Sequence, residues 1–88
     1  MPRMIWKFPL KTDGHQPVEM PNGAILLTVA EQFGAIWLWA EVDPDEPKVN
    51  RNIFVYATGH AIPDDPGEFV GSVLLLGGSL VFHIYGGR

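Results

Sequence analysis

"AILLTVAEQFGAIWLWAEV", residues 24 to 42, decides the fold class. Two apolar runs, Ala24 to Ala30 and Ala35 to Val42, flank Glu31-Gln32-Phe33-Gly34. Side chains alternate across an extended chain. In the second run Trp37 and Trp39 therefore share one face, and Ile36, Leu38, Ala40 and Val42 share the other. The four residues between the runs suit a hairpin loop. A helix over Gly23 to Phe33 is the alternative, since Ala24, Leu26, Leu27, Ala30, Glu31 and Gln32 all tolerate one. Their apolar members do not line one face of a 3.6-residue period, so the hairpin is the better reading.

The same grammar extends in both directions. Upstream, Arg3 to Leu10 alternates Met4, Trp6, Phe8 and Leu10 against Ile5 and Lys7, a strand pattern in which Pro9 marks an edge or an end. Asp13-Gly14 signals a turn. Pro17 to Met20 forms a short extended segment, closed by Pro21-Asn22-Gly23. Downstream, Asp43 to Arg51 holds two prolines and three acids and is expected to be an exposed loop. Asn52 to Thr58 is rich in β-branched and aromatic residues, as strands are. His60 to Gly67 is a second loop. Phe69 to Leu76 and Ser79 to Tyr85 flank Gly77-Gly78, a two-residue hairpin signal. Gly86-Gly87-Arg88 is expected to fray. The fold class is all-β: a small antiparallel meander of six or seven strands, forming a sandwich or a partly open barrel.

Eighty-eight residues make one domain with a small core. The absence of cysteine excludes disulfides and thiolate metal sites. The amino-terminal residues lack the apolar core of a secretory signal, and no apolar stretch approaches the ~20 residues that span a bilayer. The expected setting involves no membrane. The net charge of −4 argues against duplex nucleic acid, which needs a basic face. It leaves room for a small anion held by a few local donors.

The strands carry unusually few polar residues. A strand with one wet face should alternate. Yet Ala24 to Ala30 has only Thr28, Ala35 to Val42 only Glu41, Leu80 to Tyr85 only His83, and Ile53 to Ala57 none. Both faces of the central strands therefore look buried. Loops could cover the second face, but these are short and hydrophilic. A strongly coiled barrel with some exposed aromatics is another solution. A second copy of the chain is the favoured one, most simply as a symmetric homodimer.

Candidate chemistry is sparse. His15, His60 and His83, with Asp64 or Asp65, could hold zinc or iron, but no metal-binding spacing joins them. Asp64-Asp65 and Asp43-Pro44-Asp45-Glu46 are carboxylate pairs in proline-flanked loops, without the burial that acid–base work requires. No nucleophile elbow, phosphate loop or dinucleotide fingerprint is present. Thr58-Gly59-His60 is more suggestive. It offers a hydroxyl, close backbone approach and a ring nitrogen, which suits an anion or a base edge. It equally suits a plain capped turn. Phe54 and Tyr56 share a strand face, as do Val81, His83 and Tyr85. Paired with Trp37 and Trp39, they would make an aromatic floor for a nucleobase, with Arg51 or Lys48 at the rim for phosphate. The same rings would serve as core or subunit interface.

Met4-Ile5-Trp6-Lys7-Phe8-Pro9-Leu10, Met20-Pro21-Asn22-Gly23-Ala24, Leu38-Trp39-Ala40-Glu41-Val42-Asp43, Thr58-Gly59-His60, Gly71-Ser72-Val73 and Leu80-Val81-Phe82-His83-Ile84 follow one another along the chain. This succession resembles a family of short phage and prophage proteins of unknown function. The resemblance covers nearly the whole chain and carries no site residue with it. It implies a phage or prophage setting in a host bacterial cytoplasm.

The resulting expectation is a non-enzymatic, cofactor-free phage accessory protein that sequesters a small anionic nucleotide signal to counter host antiviral defence. The ligand would meet Thr58, Gly59, His60, Arg51, Trp37, Trp39 and Tyr56. The alternative is a structural or interaction protein that binds a host or virion partner through an apolar strand face.

Overall fold

Strand alternation sets the architecture. The computed structural model describes residues 2–87, and among them the chain forms seven strands: β1 (Met4–Leu10), β2 (Gly14–Pro21), β3 (Ile25–Gln32), β4 (Ala35–Val42), β5 (Lys48–Ala57), β6 (Glu68–Leu75) and β7 (Leu80–Gly86). On β4 every second residue, Ile36, Leu38, Ala40 and Val42, is buried. Ile53 and Val55 of β5, Val73 and Leu75 of β6, and Phe82 and Ile84 of β7 do the same on their strands. These sides meet in one core with Leu10, Met20, Ala24 and Val29.

The strands divide into two antiparallel sheets, ordered β1-β4-β3 and β2-β5-β7-β6. Two connections, β3–β4 and β6–β7, are hairpins between neighbours. The connections β1–β2, β2–β3 and β4–β5 pass from one sheet to the other. At the first of these corners Gln16, the one buried polar side chain among the described residues, is fully engaged. Its carboxamide accepts from Lys11 N at 2.8 Å and donates to Lys11 O at 2.9 Å. A buried amide paired on both sides carries no desolvation penalty into the core.

The sandwich is partly closed. β3 lies beside β6, and each of these edge strands carries a bulge, at Leu27 and at Val70. Bulges increase local twist and turn a strand out of its sheet. Glycine permits the approach: a Cβ on Gly71 would lie 2.9 Å from Val29 Cγ2, and one on Gly86 would overlap Leu26 Cδ1. Gly86 is the register partner of Glu68, so Leu26 lies level with Glu68, as Val29 does with Gly71. β3 and β6 thus run in the same direction, and their two hairpin tips project from the same end. Arg51 ties the seam at the other end. Its Nε donates to Gly87 O at 2.9 Å and its Nη1 to Ala24 O at 2.7 Å.

The segment around Ala24 to Ala30 is strand, as the hairpin reading expected, not helix. Several boundaries differ from the sequence reading. The loop expected at residues 31–34 is a two-residue turn, Phe33-Gly34, with φ of 55° and 78°. Positive φ at both central positions is the type I′ geometry that matches strand twist. Pro17 to Met20 belongs to an eight-residue strand, because its partner β5 starts at Lys48 instead of after Arg51. The β6–β7 turn is longer than Gly77-Gly78, starting with a 3-10 turn over Leu76–Gly78. Gly86 is buried in β7 and Gly87 N donates to Asn52 O at 2.6 Å, so these two do not fray. Arg88 lies outside the described residues.

The second faces of the strands are not fully buried within one copy. On β4 the outward Ala35, Trp37, Trp39 and Glu41 are half-buried, and on β5 so are Phe54 and Tyr56. Bulky side chains lying across one another achieve this without a third layer.

Candidate functional site

The sandwich has two outer faces. On the three-stranded sheet, Trp37 and Trp39 point outward because their β4 neighbours point in. Lys7, the register partner of Trp39, places its Nζ 4.4 Å from the Trp37 ring centroid and donates to Gln32 Oε1 at 2.6 Å. The Trp37 indole N–H donates to Gln32 O at 3.1 Å. Arg3 and Glu41 form an ion pair at 2.6 Å on the same sheet. Ile5 and Ile25, the register partners of Glu41, remain exposed on this face beside those contacts.

The four-stranded sheet is different. A chain of rings crosses all four of its strands. His15 of β2 stacks on Phe54 at 4.9 Å, Phe54 on Tyr56 at 6.2 Å, Tyr56 meets Tyr85 of β7 edge-on at 5.8 Å, and Tyr85 meets Phe69 of β6 at 5.3 Å. Register explains the row: His15 pairs with Phe54, Phe54 with Tyr85, and Tyr85 with Phe69. Three inter-strand steps of about 4.8 Å make it roughly 14 Å long. Phe54, Tyr56 and Tyr85 are half-buried, while His15 and Phe69 are exposed.

His83 sits beside this row between two hydroxyls. Its Nε2 is 2.7 Å from Thr58 Oγ1 and its Nδ1 is 2.7 Å from Ser72 Oγ. Thr58 Oγ1 also lies 3.4 Å from Val81 O, toward which it donates. One tautomer satisfies all three contacts: Nε2–H donates to Thr58, and Nδ1 accepts from Ser72. Both nitrogens are then engaged, and what the ring presents outward is its carbon framework. His15 is similarly held, with Nε2 2.8 Å from Asn52 Oδ1.

At the end of β5 the chain turns at Thr58-Gly59-His60, with His60 N donating to Ala57 O at 3.1 Å. Tyr56, Thr58, Gly59, His60, Ile62, His83 and Tyr85 line a shallow cavity of about 210 Å³ there. Four of the expected contact residues, Tyr56, Thr58, Gly59 and His60, therefore converge. The other three do not. Trp37 and Trp39 lie on the opposite outer face, so the single aromatic floor spanning both sets does not form. Arg51 is seven residues from Thr58 along β5, roughly 23 Å. It borders an open groove of about 610 Å³ with Asp65 and Glu68, and its guanidinium is bonded to the Gly87 and Ala24 carbonyls.

Ser72, Phe69 and His15 are the members of this surface that sequence reading missed. Phe69 was visible as a strand residue, but its facing partner depended on the Val70 bulge. The sequence offers His15 only as a metal-ligand candidate, since the early start of β2 carries no sequence mark. Among the described residues, no three His, Asp or Glu side chains converge as metal ligands, and no helix is long and apolar enough to cross a membrane.

Fold and surface together define a small all-β protein of two antiparallel sheets, with a row of rings across the outer face of the four-stranded one. The chain belongs to the family described as a domain of unknown function, DUF7352, whose model matches residues 1–88. No curated protein and no solved structure matches it.

Proposed function

We propose that this chain is a non-enzymatic binding protein that meets its ligand through the aromatic outer face of the four-stranded sheet. The observation that carries the reading is the ring row His15–Phe54–Tyr56–Tyr85–Phe69 and the cavity beside it. Half-exposed rings with a polar turn at their border suit a ligand with one flat apolar side and one polar end. A small nucleotide fits that description, its base against Tyr56 and Tyr85 and its phosphate at Gly59 and His60. Trp37, Trp39 and Arg51 have no part in this version. The phage or prophage setting, the bacterial cytoplasm and a role against host defence rest on the sequence resemblance alone.

Thermal-shift titration with cyclic dinucleotides and ADP-ribose-type nucleotides tests the reading. A ligand should raise the melting temperature of the wild type and leave Tyr85→Ser unmoved. No shift with any of them removes the nucleotide.

A second reading is a protein partner laid across the same rings. The row's length favours it, since roughly 14 Å exceeds a single base. A stoichiometric partner that binds the wild type and is lost with Tyr85→Ser would establish it.

A further inference from the structure

Two large apolar side chains stand in a backbone region that ordinary residues avoid. Phe33 has φ 55° and is 90% exposed; Leu76 has φ 52° and is 77% exposed. They are the two non-glycine residues with positive φ among those described. Each sits on a hairpin turn, where glycine or asparagine would cost less and dissolve better. Neither packs into the core, so folding does not explain them. Left-handed backbone at non-glycine residues concentrates where a function holds it.

The two turns project from the same end of the sandwich, because β3 and β6 run side by side in one direction. Leu74 and Leu80, also exposed, flank the second turn. At roughly 200 Å² per large side chain, the exposed parts of these four residues amount to about 500 Å². Charge at this end balances. Asp13 and Glu31 are the acids on the strand ends and turns here; Lys11 and Lys7, whose Nζ reaches Gln32 Oε1, offset them, and the Glu31 carboxylate accepts from Gly34 N at 2.7 Å. Glu41, Asp43, Asp45, Glu46, Asp65 and Glu68 gather toward the opposite end, at the β4–β5 connection and the start of β6.

We infer that this apolar end is a self-association surface, on which a second copy of the chain docks tip to tip about a two-fold axis. Tip-to-tip contact joins two neutral apolar patches and holds the two acidic ends apart. Head-to-tail contact would set the apolar tips against the acidic end, and a flat outer face offers no such separation. Two-fold contacts are also the commonest way for one patch to satisfy itself. The area decides the strength. About 500 Å² per copy falls below the ~800 Å² per partner of standard stable interfaces. The dimer is therefore weaker than a standard stable interface and reversible on dilution. The contact borders the aromatic outer face, since Leu74 points outward beside Val81, whose carbonyl accepts from Thr58 N, but it does not include His15, Tyr85 or Phe69.

Sedimentation velocity over a dilution series from high to low micromolar tests the inference. The wild type should shift from dimer to monomer across the series, and added salt should not weaken it. Phe33→Asn and Leu76→Asn should each weaken association at least tenfold. Tyr85→Ser should dimerise as the wild type does. A wild type that stays monomeric throughout overturns the inference, as does a Phe33→Asn chain that associates equally well. A Tyr85→Ser chain that alone loses association would place the contact on the aromatic face and overturn it too. Nucleotide shifts are read separately, so the two proposals fail independently.

Discussion

Phe33 also permits a stability prediction with an unusual sign. Most substitutions destabilise, but Phe33→Asn should stabilise the monomer. The left-handed region costs an ordinary L-residue about 1–2 kcal/mol, and asparagine enters it far more readily. Asparagine followed by glycine is also the preferred pair for a type I′ turn, and Gly34 is already in place. Against this gain stands the packing lost with the ring, which is small because Phe33 is 90% exposed. The net is about +1 kcal/mol. For a domain of this length that amounts to roughly 4–8 °C in melting temperature. In urea it is a midpoint shift of roughly 0.3–1 M at typical slopes. Urea unfolding followed by tryptophan fluorescence, at a concentration where the chain is monomeric, measures it without interference from self-association. Phe33→Ala is the control: it removes the ring but keeps a Cβ residue at positive φ, so it should gain little. If Asn and Ala prove equally stable, the turn is not strained and the argument from Phe33 to function loses its premise.

Two further substitutions probe the fold. Leu38 is fully buried at the centre of β4, so Leu38→Ala should cost about 3–5 kcal/mol, read by urea unfolding. A loss under ~1 kcal/mol would mean that the two sheets do not share the core described. Arg51→Met keeps most of the side chain's length but removes both guanidinium bonds. Of those two, only the bond to Ala24 O joins the two sheets, since Gly87 follows β7 in Arg51's own sheet; the loss should cost about 1–3 kcal/mol and raise hydrogen exchange at Ile25 and Gly87 before that of β4. Uniform exchange across the chain would remove Arg51's role as a local tie.

The local code of this sequence was legible where one physical rule acted alone. Alternation on Ala35 to Val42 grouped Ile36, Leu38, Ala40 and Val42 on one face, since a strand has only two, and that face is the buried one. The turn at Thr58-Gly59 was visible from its glycine. What failed were quantities set by pairing. Nothing in Lys48 to Arg51 announces a strand; those residues extend because β2 lies opposite. The apolar second faces are partly covered by large side chains that lean on one another across the sheet, as Lys7 does over Trp37 and Phe54 over Tyr56, a packing that alternation does not encode. Arg51 looked like a free cation for a ligand, yet two backbone carbonyls claim it. Trp37 and Tyr56 looked like neighbours, and strand order puts them on opposite sides.

Pairing also limits how copies of this chain can meet. Closure of β3 against β6 leaves β1 and β2 as the open edges, the usual place for strand-to-strand association. Both are guarded. Pro9 interrupts the donors of β1, and Pro17 and Pro21 interrupt those of β2. A β-strand added at either edge would meet a missing N–H within a few residues. If copies associated by edge pairing in spite of this, replacing the prolines would strengthen the contact and Phe33→Asn would leave it unchanged. Association through the tips requires the reverse: Pro17→Val should leave the dimer's affinity within twofold, and Phe33→Asn should weaken it at least tenfold. Two edges guarded by three prolines and two apolar side chains held at positive φ are opposite treatments of exposed surface. The first is what a fold does to prevent contact, and the second is what it tolerates only where contact is made.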